Sequence, residues 1–263
     1  MTIDTIAFDK VDKTISPHDS MFKGYREHYF YVGNSALKCI QFAINISEKD
    51  PSGIKKILDL PSGYGRVLRW IHATFPDAEI SACDLEIEGV NFCAEQFGAK
   101  PIYSQKDPEK IIFEEKFDLI WCGSLFTHLD GKQWIQFLKL FGSLLNPNGL
   151  LLFTTHGPYV VFRGQEGFDY GLKPRPFRKM VSNYEKSGFG YENYDNNQGY
   201  GISVAKPWYV TKLLESVPEL KMLYYKEKGW DHHQDVVACF KDRHFNDFCF
   251  DYNNYFSPGE LDI

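Results

Sequence analysis

Apolar positions along this chain switch repeatedly between two spacings. Ile57, Leu58 and Leu60 make a short apolar run suited to a buried parallel strand. The run stops at Pro61, and Ser62-Gly63-Tyr64-Gly65 predicts a turn. Tyr64, Val67, Leu68, Ile71 and Phe75 then recur at helical spacing. The alternation continues downstream. Further strands are predicted over 78–83, 100–103, 117–122 and 150–156, and helices over 86–97 and 132–145. Trp134, Phe137, Leu138, Phe141 and Leu145 line one side of the last helix, and Asn146-Pro147-Asn148-Gly149 ends it. Short strands alternating with amphipathic helices predict an α/β fold around a mostly parallel sheet, of the nucleotide-binding kind.

The flanks read differently. Residues 1–20 carry no sustained period and predict an arm. Residues 21–47 read as helical, broken near Gly33-Asn34, with Ala36, Leu37, Ile40, Ala43 and Ile44 on one face. Residues 203–216 predict another helix, with Pro207 in its first turn, and 220–226 and 236–241 predict two strands. Between these blocks, 157–201 is rich in tyrosine, phenylalanine and glycine, and it is too long for a bare loop. It predicts an inserted cap with some helix over 176–186. Arg163, Lys173, Arg175, Arg178 and Lys179 make the cap basic, either to receive a phosphate or carboxylate or simply as a solvated face. Residues 243–263, aromatic and acidic, predict a tail packed across the surface.

Composition narrows the picture. With 263 residues, 43% hydrophobic and 24% charged, the chain suits one large domain, or one with an insertion. A net charge of −6 argues against a general nucleic-acid binder. No apolar run approaches the roughly 20 residues of a membrane helix, and MTIDTIAFDKVDK has no signal-peptide core. The six cysteines form no C-x-x-C pair, which suits buried thiols in a reducing cytoplasm better than a zinc site.

The candidate chemistry gathers at strand ends. Gly63 and Gly65 lack a Cβ, so a ligand can approach the backbone, and the following helix start offers free N–H groups. A dinucleotide site wants a third glycine where Leu68 stands. Asp59, four residues before Gly63, is awkward for a pyrophosphate and suits an ammonium group. Asp84 ends the second strand, where a carboxylate is able to accept both hydroxyls of a ribose or to cap the next helix.

The stretch ILDLPSGYGRVLRWI resembles motif I of the class I S-adenosylmethionine-dependent methyltransferases, D/E-x-G-x-G-x-G, departing from it at Pro61. FDLIWCGSLFTHL resembles motif IV. GWDHHQDV and GYGISVAKPW resemble a group of bacterial methyltransferases of surface-sugar and small-metabolite pathways. The resemblance implies a Rossmann-like seven-stranded sheet of order 3-2-1-4-5-7-6, with its core in 51–156 and 202–242. It also implies N-terminal helices within 1–50 that close over the cofactor. Tyr25, Tyr29 and Tyr31 equally suit a simple cover for the sheet edge. The cofactor implied is S-adenosyl-L-methionine, held by Asp59, Pro61, Ser62, Gly63, Gly65, Arg66, Asp84, Leu85, Ser104, Gln105, Cys122, Gly123 and Ser124. The acceptor expected is a small or sugar-like molecule methylated at oxygen, with no nucleic-acid, membrane or metal partner. The chain lacks the Pro-Cys and Asp/Asn-Pro-Pro-Tyr motifs of base and amide methylation.

An oxygen acceptor of high pKa wants a base. His156 leads on position, at the carboxyl end of the fifth strand, and His232 follows. His128 is read first as a structural residue bonding a carbonyl, and second as a base. Two other classes stay open: a cofactor-binding or regulatory protein without turnover, and a nicotinamide-dependent enzyme, which Leu68 disfavours.

Overall fold

The computed structural model describes residues 8–195 and 197–242. The expected tail at 243–263 lies outside the described residues. The elements in chain order are α1 (Arg26–Ile46), β1 (Lys56–Asp59), α2 (Leu68–Thr74), β2 (Glu79–Asp84), α3 (Ile87–Phe97), β3 (Lys100–Tyr103), β4 (Phe117–Cys122), α4 (Gly131–Leu144) and β5 (Leu145–Thr155). There follow α5 (Pro158–Gln165), α6 (Pro174–Ser187), β6 (Phe189–Asn193), β7 (Gly201–Ala205), α7 (Pro207–Leu214), β8 (Leu220–Trp230) and β9 (Gln234–Lys241).

The main sheet has seven strands in the order β3-β2-β1-β4-β5-β9-β8. The first five pair in parallel, and β9 runs antiparallel to both β5 and β8. Counting only strands of this sheet, the order is the expected 3-2-1-4-5-7-6. Both faces are covered, which is why the central strands β1, β4 and β5 carry continuous buried runs rather than alternating. Ile57, Leu119, Trp121 and Leu152 face the layer of α1, α2 and α3. Leu58, Ile120, Cys122 and Phe153 face the layer of α4 and α7. Asp130 caps α4 by accepting from the Gln133 N–H, and the Gln133 side chain returns the bond.

Three elements differ from their sequence reading. Helix α1 runs unbroken through Gly33, where a Cβ would lie 2.3 Å from the Arg66 carbonyl oxygen and 2.5 Å from the Trp70 ring. Gly33 is thus the point where α1 lies against α2, not a break. The stretch 201–205 is strand β7, and only from Pro207 does helix α7 begin. Proline pre-sets the first helical turn while holding the residue before it extended. The hairpin β6–β7 therefore carries the cap to Ala205, past the expected boundary at 201. Its core is Val160, Val161, Met180, Tyr184, Ile202 and Val204. Two of its basic residues are paired internally, Lys173 with Asp195 and Lys179 with Glu192, both at 2.6 Å.

Arg26 and Gln96 each bond the N-terminal arm, to the Lys13 carbonyl and the Asp12 carboxylate, and a third tie is a residue absent from the sequence reading. Arg69, 1% exposed on α2, donates to the carbonyls of Asp12 (3.1 Å) and Thr14 (2.7 Å) and to the Tyr29 hydroxyl (3.3 Å). That hydroxyl in turn donates to Asp19 at 2.6 Å. Arg69→Met fills similar space but orphans these acceptors. It is expected to destabilise the fold by about 3 kcal/mol, read as a lower denaturant midpoint with unchanged slope. An unchanged midpoint would show that the arm is not fastened there.

Candidate active site

The chain leaves β1 through a cis Leu60–Pro61 bond. The Ser62 N–H donates to the Cys83 carbonyl at 3.0 Å, and the Gly65 N–H donates to the Ser62 carbonyl at 2.9 Å. Gly63 and Gly65 both have positive φ, +50° and +76°, yet they do different things. A Cβ on Gly63 would meet nothing within 4 Å, so this backbone faces open space. A Cβ on Gly65 would strike Phe97 at 2.6 Å. Gly65 is therefore a packing glycine beneath α3, which corrects its assignment to the ligand side.

Asp59 and Asp84 end adjacent strands and line one cavity of about 470 Å³. Asp84 anchors the turn: one carboxylate oxygen accepts from the Gly63 N–H (2.7 Å), the other from the Glu86 N–H at the start of α3 (2.9 Å). Each oxygen keeps a further lone pair for a ligand. Asp59 is 1% exposed, and its Oδ2 is buried without a hydrogen-bond partner. Burial, then the neighbouring Asp84 charge, hold its carboxyl well above the usual carboxylate range, against the Arg66 guanidinium. Ser62 Oγ is likewise buried and unpartnered. Buried polar atoms of this kind normally have partners, so these two form a polar cradle.

That cavity is lined also by Pro61, Ser62, Gly63, Arg66, Trp121, Gly123, Ser124, Trp230 and the arm residues His18–Met21. A second cavity of about 610 Å³ is lined by Leu85, Glu86, Ser104, Gln105, Lys106 and Leu125, and by cap residues Asn197–Tyr200. Pro61, Asp84, Glu86, Ser124, His128 and Tyr200 line both, so the two make one cleft along the carboxyl rim of the sheet. This is where open α/β sheets bind ligands. Eleven of the thirteen residues expected at the cofactor lie on it. Gly65 and Cys122 do not: the Cys122 side chain is fully buried against α4 and α7. The residues covering the cleft at α1's end are the arm, not the helix.

Ser124 sits in left-handed backbone, φ +62°, a conformation that costs a non-glycine residue and is kept only where neighbours enforce it. Here its N–H donates to Thr154 Oγ1 (2.8 Å), and its Oγ accepts from Gln234 Nε2 (2.6 Å). Thr154 Oγ1 donates to Gln234 Oε1 at 2.6 Å, closing the ring of bonds. Sequence spacing gave no sign of Gln234, because it acts from β9 across the sheet.

The three candidate histidines separate. His128 lines both parts of the cleft. Its Nδ1 lies 2.9 Å from the Gly201 carbonyl, which only accepts, and 3.1 Å from the Tyr194 hydroxyl; with Nδ1 donating to the carbonyl, Nε2 keeps its lone pair. Burial lowers its pKa, against that bond. His156 is 5% exposed and outside both cavities. Its own carbonyl accepts from the Ala205 N–H of β7, and the ring lies under the cap. Burial, then His128 and His233, push its pKa well down. His232 is exposed, in left-handed backbone at the β8–β9 turn, with its ring stacked on Tyr31 6.2 Å away. The residue this turn sends inward is His233, 5.7 Å from His156 and 5.7 Å from Tyr170 by ring centres. Position therefore favours His128, reversing the sequence ranking.

A methyltransferase-domain family model matches residues 57–149. The chain is 30% identical over 125 residues to malonyl-[acyl-carrier protein] O-methyltransferase of Halalkalibacterium halodurans, 45% of this chain and 45% of that protein. It spans less than half the length of the curated relatives it matches. Among solved structures, an S-adenosylmethionine-dependent methyltransferase from Clostridium acetobutylicum superposes with TM-score 0.54 at 15% identity, over 86% of this chain and 96% of that one. CalS10 of Micromonospora echinaspora, an amino pentose methyltransferase, superposes with TM-score 0.55 at 13% identity, over 84% and 97%. At such identities the likeness speaks for the fold. Residues 57–149 thus match a methyltransferase-domain family model, and the sheet built around them has the fold of the S-adenosylmethionine-dependent methyltransferases on which it superposes.

Proposed function

We propose that this chain transfers a methyl group from S-adenosylmethionine to an oxygen of a small, sugar-like or acidic acceptor. The observation that carries the reading is the pair Asp59 and Asp84 on one cavity, one with an orphaned buried oxygen, beside the open backbone of Gly63. Asp59 would take the ammonium of the methionine moiety, and Arg66 its carboxylate. Asp84 would take the ribose hydroxyls, and Leu85, Ser104 and Gln105 would frame the adenine. Gly123 and Ser124 would lie beside the sulfur. Support for such an acceptor comes from the aromatic, basic cap and from the names of the relatives, which span an acyl-carrier-linked malonyl group and an amino pentose.

S-Adenosylmethionine, when bound, supplies an electrophilic methyl carbon on a positively charged sulfur. The chain's part is placement, exclusion of water and proton removal. Holding the acceptor oxygen in line with that carbon supplies much of the acceleration. The aromatic walls, Trp121, Trp230 and Tyr200 among them, keep the site dry while charge is neutralised. His128 Nε2 accepts the proton of a hydroxyl acceptor, and its neutral form is ready because burial holds its pKa down.

The test is calorimetric titration with S-adenosylhomocysteine, repeated in phosphate and in Tris. Free Asp59 holds a proton well above the usual carboxylate range, and an ammonium beside it favours the ionised form. At any pH between the free and the ligand-bound values of Asp59, binding is therefore expected to release a proton, so the heat depends on the buffer, and Asp59→Asn removes that dependence. Absence of binding at millimolar ligand would refute the cofactor reading. Binding without turnover, across panels of sugars and of carboxylic acids, would point instead to a binding protein.

A further inference from the structure

Part of the 610 Å³ cavity wall comes from outside the methyltransferase domain. Asn197, Gln198, Gly199 and Tyr200 belong to the loop joining β6 and β7 of the cap, yet they line the same space as Leu85, Ser104 and Gln105. The loop is shaped locally: the Gly199 N–H donates to Asn193 Oδ1 (2.8 Å), and the Tyr194 N–H donates to the Tyr200 carbonyl (3.1 Å). Tyr200 lines both parts of the cleft although 42% exposed. Its ring stacks on His128, centres 4.9 Å apart and planes 27° apart. Tyr200 shares the lining of both cavities with Asp84, the acid assigned to the ribose, and burial, then that carboxylate, raise its pKa. The next residue, Gly201, supplies the carbonyl 2.9 Å from His128 Nδ1. One hairpin thus touches the adenosine side of the cleft and the base.

We infer that the β6–β7 loop of the cap completes the adenosine site, with Tyr200 packing on the nucleoside and Gln198 supplying polar contact to it. The inference rests on the cofactor reading above. An aromatic face over a nucleoside is sequence-tolerant packing, because every base has a π-face to stack on. The physical consequence is that cofactor affinity depends on a segment that also shapes the acceptor side. The cofactor, by packing against Tyr200, then steadies the hairpin that orients His128.

The experiment is titration of the full chain with S-adenosylhomocysteine, without acceptor, for wild type, Tyr200→Ala, Tyr200→Phe and Gln198→Ala. Thermal unfolding without ligand is recorded alongside. Tyr200→Ala is expected to weaken binding about tenfold or more, while Tyr200→Phe keeps the ring and stays within about threefold of wild type. Gln198 is exposed in its loop, so Gln198→Ala should fold normally, and a weakening of about threefold is expected from one lost hydrogen bond. If wild type binds and both alanine variants bind equally well, the hairpin has no part in the site and the inference is overturned. If wild type itself fails to bind, it is the cofactor reading that falls.

Discussion

Asp84→Ala is expected to weaken S-adenosylhomocysteine binding at least about a hundredfold. Two charge-assisted hydrogen bonds to ribose hydroxyls are each worth about 1.5–3 kcal/mol, and every 1.4 kcal/mol is a factor of about ten. The side chain does a second job, because its oxygens accept from the Gly63 and Glu86 N–H groups. Its removal therefore loosens the glycine turn as well as the ribose contact. Asp84→Asn separates the two. The amide keeps one acceptor for the turn but offers a donor where a hydroxyl needs an acceptor, so an intermediate loss of about tenfold is expected. The ligand-free melting temperature should fall less for Asn than for Ala. An alanine variant with wild-type affinity would remove Asp84 from the cofactor site and, with it, the strongest link between this sheet edge and an adenosyl ligand.

Asp84 was legible because strand ends are a rule of the fold: the period that finds β2 also finds its last residue, and the ligand lies beyond it. The same rule brings Asp59, Leu85, Ser104, Gln105 and Ser124 to the cleft. It fails at Cys122, because β4 is buried on both faces and alternation then says nothing of which side chain reaches the ligand. It fails at Gly65, because a glycine that clears a ligand and a glycine that clears Phe97 look alike in sequence. His156 ends β5 as expected, but β7 lies over it, and β7 was read as helix. An error in a cap element thus hid the burial of a core residue.

Residues that act between distant elements left no local signal. Arg69 reaches from α2 to the arm, Gln234 from β9 to Ser124, and Tyr200 from the cap to His128. A period of 3.6 or 2 marks which face is buried, not which partner waits there. The carbonyl bond expected for His128 is present, to Gly201. Its position on the cleft comes only with the packing of the cap, and the base role proposed for it rests on that position.

His128→Asn tests whether the second role is real. The Asn amide is able to donate to the Gly201 carbonyl in place of Nδ1, so the hairpin contact is preserved while the Nε2 lone pair is lost. With a hydroxyl acceptor, kcat is expected to fall about 10²–10⁴-fold, the usual contribution of a general base. S-Adenosylhomocysteine affinity should stay within about threefold, since the main cofactor contacts remain. The pH profile carries a second, independent signature. Protonated His128 has no lone pair to give, so activity falls as pH drops. Because burial sets its pKa below 6.5, the fall should be centred below pH 6.5, and the Asn variant should lack it. Stability shares the sign: the lowered values of His128 and His156 mean the unfolded chain binds more protons below pH 6.5. The stability these two histidines contribute is therefore fully present above that pH and is lost as pH falls through their folded values. Denaturation at matched pH separates this loss from the catalytic one. A variant that keeps full kcat, with an unchanged acid limb, would assign the proton to the acceptor itself, as for a carboxylate, and leave His128 a positioning residue for the hairpin.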